Sequence, residues 1–82
     1  MKTSIDISLY PLNEDYIPAI DAFIEGVNSH PDVVAITNDL STQLYGEYDD
    51  VMDLLKREIQ RSWETHGKGV FAVKFLMGDV RR

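Results

Sequence analysis

No cysteine occurs among the 82 residues of this sequence, which removes disulfides and thiolate metal sites together. A hydrophobic core in a chain this short leaves a thin stability margin, and small domains commonly add a disulfide, a metal or a partner chain. Self-association is therefore the expected supplement. Long hydrophobic runs are missing too. No stretch approaches the ~20 apolar residues of a membrane span, and Met1-Lys2-Thr3-Ser4-Ile5-Asp6 lacks an apolar run ahead of a small-residue cleavage site. These absences predict a soluble, cytoplasmic chain with no membrane partner. Basic residues are few, 8 against 14 acidic ones, for a net charge of −6. A phosphate backbone requires clustered cations, and the terminal Arg81-Arg82 is the one basic cluster, so no nucleic-acid partner is expected. None of the five glycines builds a phosphate-cradling loop, which disfavours nucleotide and pyrophosphate ligands.

Catalytic and metal-binding signatures are equally sparse. His30 and His66 stand beside Pro31 and Gly67, with no His-x-His or His-Glu-x-x-His spacing. They read as helix-end residues, so no metal and no cofactor is expected. Asp49 and Asp50 are adjacent on a helix and point in different directions. Ser62, Thr65 and the other hydroxyls have no nucleophile elbow around them. Without a titratable pair suited to a cleft, the chain is expected not to be an enzyme.

What is present is clear periodicity. Ile5, Ile7 and Leu9 alternate with Asp6, Ser8 and Tyr10, the pattern of a half-buried strand over Thr3–Tyr10 that Pro11 ends. Asn13 or Asp15 is suited to cap a first helix, with Pro18 in its first turn. Ile17, Ile20, Ile24 and Val27 follow at helical spacing, Phe23 widening the stripe, until Asn28-Ser29-His30-Pro31 stops it. Val33–Asn38 is a second strand, Asp39-Leu40-Ser41 a loop, and Thr42–Gly46 a third strand. A loop of about three residues pairs Ile36 with Leu44 and Asn38 with Thr42, which keeps the aliphatic side chains together. It sends Ala35, Thr37, Gln43 and Tyr45 to the opposite face. Glu47–His66 is a second helix, with Tyr48, Val51, Met52, Leu55, Ile59 and Ser62 or Trp63 inward and acids at its start. Gly67 ends it, and Gly69–Met77 is a fourth strand.

This order, βαββαβ, is the split βαβ repeat of the ferredoxin-like α+β sandwich. Right-handed crossovers place both helices on one face of a four-stranded antiparallel sheet, with strands in the order fourth, first, third, second. One such domain accounts for residues 1–82. The other sheet face is too apolar to stand alone in water, so a homodimer through that face is expected.

The segment from Asn38 to Tyr48 packs amide, hydroxyl and aromatic groups into one hairpin and the helix start after it. Such a set can hydrogen-bond a heteroaromatic edge and stack on its ring, or can simply be a hairpin followed by a capping box. The run Ser-Leu-Tyr-Pro-Leu at 8–12, together with Leu-Ser-Thr-Gln-Leu-Tyr-Gly-Glu-Tyr-Asp-Asp-Val at 40–51, resembles the YkoF-type family. That family binds thiamine and its hydroxymethylpyrimidine precursor and is built of ferredoxin-like units; two-unit members carry tandem copies where this chain has one. The resemblance implies thiamine or hydroxymethylpyrimidine as ligand. Asn38, Ser41, Thr42 and Gln43 would match the aminopyrimidine edge, and Tyr45 or Tyr48 would stack. Glu47, Asp49 or Tyr10 would face the thiazolium cation. The register places Asn38 and Thr42 on the helix side, where a pyrimidine is expected, and Gln43 on the side of the dimer. Three readings follow: a non-catalytic carrier or sensor, an assembly module with no small ligand, and a small enzyme, for which no catalytic pair is visible.

Overall fold

The computed structural model describes residues 1–81, and Arg82, one of the two terminal arginines, lies outside them. Its elements are β1 (Lys2–Pro11), α1 (Ile17–Val27), β2 (Val34–Thr37), β3 (Thr42–Glu47), α2 (Tyr48–His66) and β4 (Gly69–Met77). The four strands form one antiparallel sheet in the order β2-β3-β1-β4, the ferredoxin-like α+β arrangement that the periodicity predicts. β1 lies between β3 and β4, so its inward residues are covered from all sides: Ile5 and Ile7 are buried with Leu44, and Phe23, Val27, Val51, Leu54 and Leu55 of the helices close over them. Among the described residues, no helix is long and apolar enough to cross a membrane.

The helices differ in detail from their sequence pattern. Tyr16 is the N-cap residue of α1 and contributes no side-chain cap, in place of Asn13 or Asp15. Asn13 instead donates its amide to the His66 carbonyl at 2.7 Å, satisfying an orphan acceptor at the end of α2. Gly67 follows in the left-handed region, φ 80°, and its N–H bonds the Trp63 carbonyl, the role anticipated for it. The buried stripe of α1 is Ala19, Phe23, Gly26 and Val27, so Ile17 is left exposed and Ile20 and Ile24 half-buried. In α2 the inward set is Val51, Leu54, Leu55, Glu58 and Ser62, while Tyr48 and Trp63 are exposed.

The hairpin register differs from the expected one. Thr37 pairs with Thr42, Ile36 with Gln43, Ala35 with Leu44 and Val34 with Tyr45. The Asn38 N–H bonds the Ser41 carbonyl at 3.0 Å, leaving Asp39-Leu40 as a two-residue connection. The faces of β3 are as predicted; those of β2 are reversed. Leu44 is fully buried whereas Ile36 is 46 % and Val34 44 % exposed. The reason lies in Val33-Val34-Ala35-Ile36, an apolar run without alternation, which favours neither face by itself. The turn decides. Asn38 Oδ1 accepts from the N–H groups of Leu40 and Ser41, both at 3.1 Å, an Asx turn that fixes where the chain reverses.

Candidate functional site

The sheet and helices leave a cleft at the tip of the β2–β3 hairpin. Ile20, Phe23 and Ile24 of α1 form one wall, Ile7 and Leu9 of β1 the floor, and Thr37–Thr42 the other wall; together they enclose about 150 Å³. The position follows from the hairpin sequence. Where neighbouring rows of the inner face carry aliphatics, this row carries Thr37 and Thr42, whose hydroxyls bond each other at 3.0 Å with either able to donate. At the end of the core these two side chains keep an aliphatic shape but leave hydrogen-bonding atoms at the cleft. β1 also runs on past its last pairing with β3, Ile7 with Thr42, so Ser8 to Tyr10 border the cleft along an edge that β3 does not cover.

The tip itself is held from the opposite side of the sheet. Ile36, Gln43, Asp6 and Lys74 form one row across the open face. Asp6 Oδ1 accepts from the Ser41 hydroxyl at 2.6 Å and from Gln43 Nε2 at 2.9 Å. Gln43 Oε1 in turn accepts from Asn38 Nδ2 at 2.9 Å. The Ser41 and Gln43 donors hold the Asp6 carboxyl below its ordinary range, with Lys74 adding to the effect and burial opposing it. Asp6 thus anchors the tip through Ser41, Gln43 and Asn38, a role that its place in the alternation of β1 does not reveal.

Of the nine predicted site residues, the cleft gathers Tyr10, Asn38, Ser41 and Thr42, and Asp49 lies in the first turn of α2 beside Tyr48. Gln43 belongs to the anchoring network on the open face, next to Tyr45, whose ring lies 4.6 Å beneath the Arg81 guanidinium. Glu47 and Tyr48 stand at the other end of β3, roughly 16 Å from Thr42 at the usual strand rise. There Glu47 pairs with the Met1 ammonium at 3.0 Å and Lys2 at 3.2 Å, which hold its carboxyl below the ordinary range. Tyr48 gives its N–H to the Met1 carbonyl. The expected single constellation is therefore divided among three places, because β3 is extended and its alternate residues face opposite ways. Thr37, Ile20, Phe23 and Ile24 were not foreseen. The correct register would have found Thr37, whereas an apolar helical stripe looks the same whether it lines a core or a cleft. Among the described residues no cluster of three or more His, Cys, Asp or Glu is placed to hold a metal.

The YKOF-related family model matches residues 2–77 of the chain, and no curated protein sequence matches it. Protein SP2199 from Streptococcus pneumoniae is similar in structure at 27% identity and a TM-score of 0.88, with 98% of this chain and 90% of that one covered. TM0486 from Thermotoga maritima, a candidate thiamine biosynthesis/salvage protein, superposes with a TM-score of 0.81 at 22% identity, over 92% of this chain and 82% of that one. The hypothetical protein MJ1052 from Methanocaldococcus jannaschii gives 0.82 at 19% identity, over 99% and 84%. At these two lower identities the likeness is one of fold.

Proposed function

The chain belongs to the YkoF-related family, and on that premise we propose that the hairpin-tip cleft binds thiamine or its hydroxymethylpyrimidine moiety without transforming it. The observation that carries the reading is the cleft's composition: apolar walls from Ile7, Phe23 and Ile24 facing a hydroxyl pair, Thr37 and Thr42. A flat aromatic ring with a polar edge matches such a slot. Its size points the same way. Drug-sized sites enclose roughly 300–1,000 Å³, and about 150 Å³ admits one ring, so the pyrimidine enters and the thiazolium stays at the mouth. There the exposed Tyr10 ring and the Asp39 carboxylate can meet a fixed cation. Tyr10 and Asp39 are the titratable side chains among the described lining residues, and no hydrogen bond joins them as a nucleophile or acid is joined to its base.

The reading includes a homodimer through the open sheet face. The observed register supports it, since Val34 and Ile36 join Val70 and Leu76 there, each about half exposed. Calorimetric titration with thiamine, hydroxymethylpyrimidine and thiamine diphosphate tests the ligand. Binding of the first two is expected, and weaker binding of the diphosphate, which brings negative charge to an acidic surface. No heat with either of the first two overturns the ligand reading. If the dimer persisted in that case, the assembly module would replace it.

A further inference from the structure

Leu9 stands where β1 has outrun one of its neighbours. On one flank the pairing with β3 ends at Ile7 and Thr42, while on the other β4 accompanies β1 as far as Pro11. In an antiparallel ladder each residue directs both its N–H and its C=O to one neighbour, and the next residue directs both to the other. Three bonds set the phase here. The Met1 carbonyl accepts from the Tyr48 N–H at 2.8 Å, on the β3 flank. The Lys2 carbonyl accepts from the Gly78 N–H at 2.8 Å, and the Leu12 N–H donates to the Lys68 carbonyl at 3.1 Å, both on the β4 flank. Odd-numbered residues of β1 therefore face β3. Leu9 is odd, so its N–H and C=O point to the flank that β3 has left, and Leu9 lines the cleft.

Among the described residues nothing pairs with these two groups, so on this uncovered edge they are open to water or to a ligand. The next odd position is Pro11, which has no N–H and cannot continue a ladder. The edge thus offers one donor–acceptor couple and then stops, which suits a small molecule and obstructs an added peptide strand.

We infer that the Leu9 main chain is the recognition edge of the cleft, its N–H donating to a ring nitrogen and its C=O accepting from the adjacent exocyclic amine of an aminopyrimidine. The inference rests on the proposed function and names the atoms that supply its specificity. An amidine edge places an acceptor beside a donor in one plane, the complement of the N–H and C=O of one strand residue. Replacing the amine by an oxo group reverses both positions, setting N–H against N–H and oxygen against oxygen.

Amide hydrogen exchange and ¹H–¹⁵N spectra of the full chain, with hydroxymethylpyrimidine and with its oxo analogue, test this. At saturation the aminopyrimidine is expected to slow exchange of the Leu9 amide by about tenfold or more. Ser8 and Tyr10, already directed to β4, should change little. The oxo analogue should bind at least about tenfold more weakly, the effect of one mismatched hydrogen bond. Shifts at Thr37, Thr42 and Ile24 with unchanged Leu9 exchange would overturn the inference and leave the ligand class standing, as would equal affinity for the two rings. No shift anywhere would overturn both.

Discussion

Thr42 and Asp6 are polar residues on paired strands beside the same hairpin tip, yet they serve opposite faces of the sheet. Thr42 is 4 % exposed and its hydroxyl has one protein partner, Thr37, which leaves capacity for a ligand atom. Thr42→Val keeps the shape and removes that capacity. It is expected to cost roughly 1–3 kcal/mol of pyrimidine affinity by calorimetry, with little change in fold. Asp6 gives a pH prediction instead. Its carboxyl is held below the ordinary carboxylate range in the fold by Ser41 and Gln43, while in the unfolded chain it returns to about 3.9. A depressed folded value means the network's contribution is fully present above the ordinary range and is lost as pH falls through the folded value. Ser41 amide protection should therefore hold from neutral pH to about pH 4 and decline below it. Gln43→Leu should raise the Asp6 midpoint, read directly from its carboxyl resonance in an NMR titration. An unmoved midpoint would mean that Gln43 does not anchor Asp6.

Between elements, the seam of the two helices holds a buried carboxylate against a glycine. Glu58 of α2 is 2 % exposed, with its carboxylate 2.9 Å from Arg57 and 3.4 Å from Arg61. It fits because Gly26 of α1 has no side chain; a Cβ there would overlap the carboxylate. Helix propensity alone favours Gly26→Ala by about 1 kcal/mol, whereas overpacking costs roughly 1–3 kcal/mol. The substitution is therefore expected to lower stability in urea denaturation. In a Glu58→Ala background the same change should be neutral or stabilising, and simple additivity would refute the packing argument. This seam was not legible in the sequence, where glutamate on a helix reads as surface and the notch appears only when the helices meet. The strands were legible wherever alternation was strict, as in β1, and β2 was misread where Val33 to Ile36 offered apolar residues to both faces. Turn chemistry sets the register, through the Asn38 side chain that the family resemblance would place against a ligand. The cleft was half legible for a related reason. Polar side chains in a hairpin attract attention, but the α1 wall resembles core, and the Leu9 main chain has no side-chain signature at all.

Over the whole molecule the corrected register changes the open face more than it changes the core. Val34 and Ile36 replace Ala35 and Thr37 there, so the face is more apolar at its β2 margin than the sequence pattern implied. Its central row holds Asp6 beside Lys74, opposite charges that a two-fold axis could set against their counterparts on a second copy. A chain of 82 residues with no cysteine has reason to cover such a surface. The corrected face also selects the test. Thr37 lines the cleft and is unsuitable, whereas Ile36 points away from it. Ile36→Arg would bury an unpaired charge at the contact, and sedimentation at micromolar concentration should show the dimer of the parent chain reduced to monomer. Pyrimidine affinity should survive, because the substituted side chain lies on the other side of the sheet from the cleft. A parent chain that sediments as a monomer would refute the dimer directly. Loss of ligand binding together with the dimer would instead mean that the cleft depends on the second copy.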